Sequence, residues 1–193
     1  NSLMPHFHIP LQSGCDKILQ LMKRRYSTDF FKTKVQTIKQ MIPHACIAVD
    51  VITGFPGETD DDFNSTYQFL NTLPISYLHV FTYSERENTL AASLPNAVPL
   101  RERNERSKML HILSDKKRRA FYDKNLGKSF TVLFENDVED GLMHGFTENY
   151  IRVAAKYDPI VINELKAVTL SAINQKGHVE VEELMNAELT GHK

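Results

Sequence analysis

Polar and glycine-rich segments follow three apolar, strand-like runs in the first half of this 193-residue chain. Gln12, Ser13 and Gly14 follow the first run. The second run passes into a Gly/Pro-rich turn within residues 50–58, and residues 83–86 end the third run. Because the carboxyl ends of parallel strands meet at one rim of a sheet, where α/β folds hold their ligands, these segments favour one shared site. The glycines would let the backbone approach a flat ligand. The alternative interpretation is a tight turn that needs glycine only for its backbone conformation.

His6 and His8 stand two residues apart in the first run, so both side chains lie on one face of the predicted strand. As a metal-binding pair they would need at least one further ligand from elsewhere in the chain. We therefore expect a polar role for this face and predict no metal ligand and no catalytic residue.

Basic residues concentrate in one segment of a chain whose net charge is only -1. Residues 101–128 carry 10 Lys/Arg and 4 Asp/Glu, whereas residues 1–100 carry 8 and 9, and residues 129–193 carry 5 and 11. The densest cluster consists of Lys116, Lys117, Arg118 and Arg119. Such a segment can bind anionic RNA, and a solvated helix face is the other interpretation.

Strand and helix patterns alternate over residues 1–126, which predicts βαβ units of an α/β fold. Strands are predicted at 4–11, 46–52 and 77–83, and helices at 15–25, 27–42 and from 59 to about 73. A polar helix is predicted from residue 100 to about 125. Its predicted buried stripe consists of Met109, Leu110, Leu113, Ala120 and Phe121.

Beyond residue 126 the apolar pattern changes to the period of strands. Short strands are predicted at 129–135, 142–146, 149–155, 166–174 and 178–182. Five short strands in about 60 residues predict a small β-barrel of the OB type. We therefore predict an α/β domain over 1–126, a barrel over 127–185 and a tail over 186–193.

The two cysteines, Cys15 and Cys46, are too few for a disulfide framework or for a four-cysteine metal site. Both fit a reducing compartment, and no apolar run approaches the roughly 20 residues that a membrane span needs. We therefore expect a cytoplasmic protein with no membrane partner.

Four blocks of the sequence, taken in order and with their intervals, resemble the radical S-adenosylmethionine methylthiotransferases. They are residues 8–14 (His-Ile-Pro-Leu-Gln-Ser-Gly), 22–26 (Met-Lys-Arg-Arg-Tyr), 50–59 and 83–92. The terminal barrel resembles the TRAM domain of that family. The resemblance implies the C-terminal half of a partial (βα)6 TIM-like barrel, followed by a small all-β, OB-like TRAM barrel.

Residues 78–81 and 145–150 are most similar to the MtaB branch of that family. That branch implies a tRNA methylthiotransferase, which inserts a methylthio group at carbon 2 of N6-threonylcarbamoyladenosine beside the anticodon by S-adenosylmethionine radical chemistry. The alternatives within the family act on isopentenyl-adenosine in tRNA or on an aspartate of a ribosomal protein.

The resemblance also implies residues that bind S-adenosylmethionine. Ile52, Gly54 and Glu58 match a Gly-x-Ile-x-Gly-x-x-x-Glu pattern of radical S-adenosylmethionine enzymes, although Asp50 replaces its first glycine. The complete set that the resemblance implies is Gln12, Ser13, Ile52, Gly54, Glu58, Tyr83, Ser84 and Arg86.

The family binds two [4Fe–4S] clusters through cysteine motifs that this sequence lacks. The resemblance therefore implies a C-terminal fragment of an enzyme, inactive by itself, whose first strand is an open sheet edge. Because unpaired backbone groups and bare apolar surface are costly, we expect the chain to associate with itself through that edge.

A non-catalytic RNA-binding module is the alternative from another class. Phe146, Tyr150 and Arg152 in the predicted barrel could supply stacking and charge, and together with residues 116–119 they form the predicted nucleic-acid interface. A pure binding module has no use for the segments at 50–58 and 83–86, which favours the enzyme.

Overall fold

The computed structural model describes residues 4–185, so the predicted tail at 186–193 lies outside the described residues. The described residues divide into two compact units, Phe7–Arg118 and residues 119–185 together with residues 4–6. The division falls inside a helix, before the predicted boundary at 126/127. The residues just after Arg119 belong to the second unit because Phe121 and Tyr122 are buried and the Tyr122 hydroxyl accepts a hydrogen bond from the Arg152 amide.

The first unit is an α/β structure, as the alternating pattern predicts. Its elements are β1 (His6–Gln12), α1 (Asp16–Leu21), α2 (Thr28–Met41), β2 (Cys46–Thr53), α3 (Asp60–Thr72), β3 (Tyr77–Thr82), a 3₁₀ turn (Leu90–Ser93) and α4 (Leu100–Asp123). The strand order is β1-β2-β3, and β2 pairs with β3 in parallel. In that register Asp50 lies beside His79.

The core of this unit lies on one face of the sheet. Alternate residues of the strands, among them Leu11, Val49 and Leu78, pack with apolar residues of α2, α3 and α4. Because side chains alternate between the two faces of a strand, His8, Asp50 and His79 lie on the opposite face. That face is accessible, and Phe81 on it is 53% exposed.

The buried stripe of α4 differs from the predicted one. Leu110, Leu113 and Phe121 are buried as predicted, but Met109 is 44% exposed and Ala120 is exposed. Tyr122 is buried as well, and four further buried positions of this helix are polar: Arg103, Arg106, Ser107 and Ser114. Apolar periodicity misplaced the stripe because Arg103, Arg106 and Ser114 are polar and yet buried, each with a hydrogen-bond partner. No helix of the described residues is long and apolar enough to cross a membrane.

A reciprocal cap fixes the start of α3. The Thr59 hydroxyl accepts a hydrogen bond from the Asp62 amide, and the Asp62 carboxylate accepts one from the Thr59 amide. This capping box satisfies two amides that have no partner within the helix. It fixes the point where the glycine-rich turn after β2 ends.

The second unit contains a closed five-stranded barrel with the order β4-β5-β6-β8-β7. Its strands are β4 (Ser129–Glu139), β5 (Leu142–Thr147), β6 (Arg152–Lys156), β7 (Leu165–Ile173) and β8 (Val179–Met185), with a 3₁₀ turn at Pro159–Val161. β6 and β8 are parallel and the other pairs are antiparallel. The number of strands is as predicted, but β6 begins later than predicted because Tyr150 has φ +64°, outside the extended region.

Candidate cofactor and nucleic-acid sites

A cavity of about 370 Å³ opens at the carboxyl ends of β2 and β3. Its lining includes Ile52, Tyr83, Ser84 and Arg86, four of the eight residues implied to bind the cofactor. Phe81, Thr82, Thr89 and Ala91 complete the lining. Small-molecule sites in proteins span about 300–1,000 Å³ and are mostly apolar with a few polar groups, which is the character of this cavity.

The Tyr83 hydroxyl is a buried polar atom that has no hydrogen-bond partner among the described residues. Its ring is fixed from two sides, edge-on by Phe55 at 5.3 Å between ring centroids and by the Arg103 guanidinium at 5.3 Å from the ring centroid. Because a buried hydroxyl without a partner costs free energy, this group favours a ligand that accepts or donates the missing hydrogen bond.

Gly54 and Glu58 stabilise the turn between β2 and α3. The Glu58 carboxylate accepts hydrogen bonds from the Gly54 amide at 2.7 Å and from Arg106 at 2.8 Å, and its side chain is only 1% exposed. Burial raises the pKa of Glu58 above its ordinary value, against the effect of these hydrogen bonds. Burial also opposes the charge of Arg106, but Asp60 and Glu58 hold the pKa of that guanidinium above its ordinary value. Contact of Gly54 or Glu58 with a cofactor stays a prediction.

Gln12 and Ser13 form the turn at the end of β1. Gln12 is buried with φ +75°, a strained conformation for a residue other than glycine. The Ser13 hydroxyl is fully buried, lies 3.2 Å from the Thr66 hydroxyl and accepts a hydrogen bond from the Cys15 amide. Ser13 therefore joins β1 to α3, and its contact with a cofactor stays a prediction.

The basic cluster on α4 splits into exposed and engaged side chains. Lys116 and Arg119 are exposed. The Lys117 ammonium donates hydrogen bonds to the Asn71 and Leu73 carbonyls at the end of α3, at 3.1 and 2.8 Å. Arg118 lies 5.3 Å from the centre of the Tyr77 ring and 3.5 Å from Asp115. Lys116 and Arg119 are thus the members best placed to contact phosphate.

The barrel residues predicted to bind nucleic acid lie together. The Phe146 and Tyr150 rings stack with centroids 4.6 Å apart, and the Arg152 guanidinium lies 6.0 Å from the centre of Phe146. The His6 ring also stacks on Tyr150, at 4.1 Å. Two rings this close and nearly parallel to Tyr150 cannot share one face of it, so both faces of Tyr150 are covered.

Sequence reasoning missed four residues that line the cavity, Phe81, Thr82, Thr89 and Ala91, and two arginines beside it, Arg103 and Arg106. Phe81 could have been predicted from the sequence, because it lies two residues after His79 on β3 and so shares the face of His79, just before Tyr83. Thr89 lies in one of the four family-like blocks. The two arginines gave no such signal, since their carboxylate partners Glu85 and Glu58 are distant in the sequence.

Comparison with known proteins gives matches over most of the chain. Residues 1–70 match the Radical SAM superfamily. A threonylcarbamoyladenosine tRNA methylthiotransferase MtaB of Aquifex aeolicus is 43% identical over 151 residues, 78% of this chain and 36% of that protein. A tRNA-2-methylthio-N(6)-dimethylallyladenosine synthase of Endomicrobium trichonymphae is 36% identical over 79% of this chain and 36% of that protein. A ribosomal protein uS12 methylthiotransferase RimO of Clostridioides difficile is 30% identical over 99% of this chain and 42% of that protein.

The chain therefore belongs to the Radical SAM superfamily. Within it, these relatives are methylthiotransferases of the MtaB, dimethylallyladenosine and RimO kinds, so the family recognised from the four blocks is confirmed. The chain spans about two fifths or less of the length of these relatives.

The superfamily implies S-adenosylmethionine and iron–sulfur chemistry, and the residues present fit only the first. The cavity beside the unpaired Tyr83 hydroxyl suits a small polar ligand. Cluster ligands are thiolates, of which a [4Fe–4S] cluster needs three or four. Burial raises the pKa of the Cys46 thiol to about 11 and also raises that of Cys15, whose thiol donates to Asp62. Two protonated thiols do not fit a cluster.

Proposed function

We propose that this chain is part of a tRNA methylthiotransferase that inserts a methylthio group at carbon 2 of N6-threonylcarbamoyladenosine, using S-adenosylmethionine. The observation that carries the proposal is the cavity at the ends of β2 and β3, whose lining includes Ile52, Tyr83, Ser84 and Arg86. The 43% identity to a threonylcarbamoyladenosine tRNA methylthiotransferase, against 36% and 30% to the other two relatives, supports this choice of substrate.

We further propose that β1, β2 and β3 are strands of a partial (βα)6 barrel and that the five-stranded barrel is a TRAM domain. The parallel β2–β3 pair and the closed order of the barrel strands support this assignment. A cytoplasmic location is proposed on the two free cysteines, Cys15 and Cys46. Self-association through the edge of β1 stays a prediction.

The residues of the cavity bind and orient the cofactor in this proposal. Ile52 and Phe81 offer an apolar wall for the adenine, and the Tyr83 hydroxyl offers a hydrogen bond that it lacks within the chain. The Arg86 guanidinium offers a charged partner for the cofactor's carboxylate. Bound S-adenosylmethionine supplies the methyl group and the radical chemistry, whereas this chain supplies the wall that positions it.

We propose that the exposed Lys116 and Arg119 of α4 contact tRNA, and separately that Phe146, Tyr150 and Arg152 of the barrel contact it. The charge of Lys116 and Arg119 suits phosphate contacts, and the aromatic rings of Phe146 and Tyr150 suit base stacking, whereas the Arg152 guanidinium is paired with Asp137 at 2.8 Å. Because both faces of the Tyr150 ring are covered, a base would stack there only by displacing His6 or Phe146. A non-catalytic RNA-binding module would need this surface but not the cavity.

The proposal is tested by deleting the gene that encodes this chain in its source organism and analysing tRNA nucleosides by mass spectrometry. We expect loss of the 2-methylthio form of N6-threonylcarbamoyladenosine, with the unmodified nucleoside in its place. The wild-type gene should restore it, and a gene carrying Arg86→Ala should restore much less. Glu87→Ala is the matched control, because Glu87 is exposed in the same loop and does not line the cavity.

Two outcomes would redirect the proposal. Loss of a methylthio group from the dimethylallyl nucleoside, or from ribosomal protein uS12, would assign the corresponding alternative substrate. Unchanged nucleosides together with an unchanged ribosomal protein would overturn the proposed activity altogether.

A further inference from the structure

Three neighbouring strands each contribute one metal-ligating side chain to the accessible face of the sheet. These are His8 on β1, Asp50 on β2 and His79 on β3. One ligand atom of each residue lies within 4.8 Å of those of the other two. The three strands place these groups by register and alternation, since Asp50 and His79 are directly paired between β2 and β3.

The contacts within the cluster orient its groups toward one another. The His8 Nε2 atom is hydrogen bonded to an Asp50 carboxylate oxygen. The His8 and His79 rings lie 4.7 Å apart between centroids, and the Tyr77 ring packs edge-on against His79 at 5.2 Å. Because the backbone of a paired sheet is rigid, only side-chain rotation is free to adjust these distances.

The cluster is open on its outer side. The His8 side chain is 50% exposed and that of Asp50 is 19% exposed, so an ion could enter from solvent and keep water ligands.

Two imidazole nitrogens and one carboxylate oxygen form a donor set typical of divalent transition metals, including zinc and non-haem iron. We propose that His8, Asp50 and His79 bind one divalent transition-metal ion on this face of the sheet. Ligands that share an ion at about 2.1 Å lie about 3.0–3.4 Å apart, so small rotations of the imidazole rings complete the site. This ion would be separate from the cysteine-bound clusters of the superfamily, and the three ligands leave coordination positions open for water or an exogenous ligand.

The test is a titration of the untagged, chelator-treated chain with Co²⁺ and with Zn²⁺. Calorimetry should show one ion bound per chain, and Co²⁺ should develop visible absorption bands. His79→Ala and Asp50→Asn should each weaken binding at least about tenfold, and His8→Ala combined with His79→Ala should abolish it. His111→Ala is the matched control, since His111 is exposed on α4, outside the cluster, and should bind as wild type.

Circular dichroism of each variant shows whether it is folded. His8 and His79 are exposed, so their removal should leave the spectrum and the melting temperature near those of wild type. X-ray absorption of the Zn²⁺-loaded chain should show only nitrogen and oxygen ligands. The proposal is overturned by the absence of stoichiometric binding, by equal affinity in the double variant, or by a sulfur ligand.

Discussion

Arg103 occupies the space into which a side chain on Gly54 would project. The Arg103 Cδ atom lies 2.9 Å from the position of a Cβ built on Gly54, its Cβ lies at 3.0 Å, and its Cγ is closer than either. The guanidinium of the same residue donates to the Val98 and Tyr83 carbonyls and to Glu85, so the side chain is held in place. Glycine at position 54 is therefore required both by its φ of +74° and by this close packing.

Replacing Gly54 by alanine should destabilise the first unit by about 2–4 kcal/mol. About 1 kcal/mol comes from the left-handed backbone and the rest from overpacking against Arg103. Urea denaturation followed by circular dichroism measures the difference. Gly57→Ala is the control, because Gly57 has φ +87° but faces only the end of the Leu21 side chain at 3.2 Å. Equal losses in the two variants would remove Arg103 from the explanation.

Asp62 should make the stability of this unit depend on acid pH. Burial opposes its charge, but hydrogen bonds from Lys17 and Thr59 hold its pKa at about 2, below the ordinary 3.8. The lowered pKa means that the charged form stabilises the folded state at and above pH 3.8. This contribution is lost as the pH falls from about 4 to about 2.

The check is the free energy of unfolding measured between pH 2 and pH 6. Asp62→Asn should lower stability at pH 6 by about 1–2 kcal/mol through loss of the cap and the ion pair, and should flatten the acid dependence. Asp61→Asn is the control, since Asp61 is exposed on the same helical turn. A wild-type slope in Asp62→Asn would contradict the assignment.

The unpaired hydroxyl of Tyr83 should matter for ligand binding and not for stability. Tyr83→Phe removes a group without a hydrogen-bond partner among the described residues, so the stability of the chain should stay within about 0.5 kcal/mol of wild type or rise. Binding of S-adenosylmethionine to the chain, measured by equilibrium dialysis, should weaken about five- to tenfold. Tyr26→Phe is the counterpart: its hydroxyl donates to the Leu11 carbonyl at 2.9 Å, so its loss should cost about 1 kcal/mol without affecting affinity. A stability loss in Tyr83→Phe with unchanged binding would refute this role.

Lys116 and Arg119 should carry the phosphate interactions of α4. Replacing both by alanine should weaken tRNA binding and lower the slope of log affinity against log salt by about one for each phosphate that is no longer neutralised. Filter binding of tRNA to the chain at several salt concentrations measures this slope. Lys117→Ala should leave the slope unchanged but cost about 1 kcal/mol of stability, because its ammonium is bound to carbonyls at the end of α3. The opposite pattern would make Lys117 the residue that binds phosphate.

The strands and the cavity rim could be predicted because their signals are local. The unbroken apolar run that ends in a Gly/Pro-rich turn identifies β2 by itself, and Tyr83 and Arg86 follow the next strand directly. These features place four of the implied cofactor residues on one cavity without knowledge of any long-range contact.

The groups that sequence reasoning missed depend on contacts between distant segments. The buried face of α4 carries Arg106 and Ser114, which are polar and so count as exposed in any apolar pattern. Asp50 and His79 lie beside His8 only because three strands align in one register. The pair His6 and His8 on one strand therefore did not indicate that Asp50 and His79 share that face.

Ser114, buried beneath β3, also determines what this sheet can pair with. Its hydroxyl accepts a hydrogen bond from the Leu78 amide at 2.9 Å and donates one to the Leu78 carbonyl at 3.0 Å. Among the described strands β3 pairs only with β2. Without Ser114, the amide and the carbonyl of Leu78 could therefore hydrogen bond to a further strand at this edge. A helix side chain thus blocks the outer edge of β3 at Leu78, which protects the sheet there against pairing with a foreign strand and against edge-to-edge aggregation.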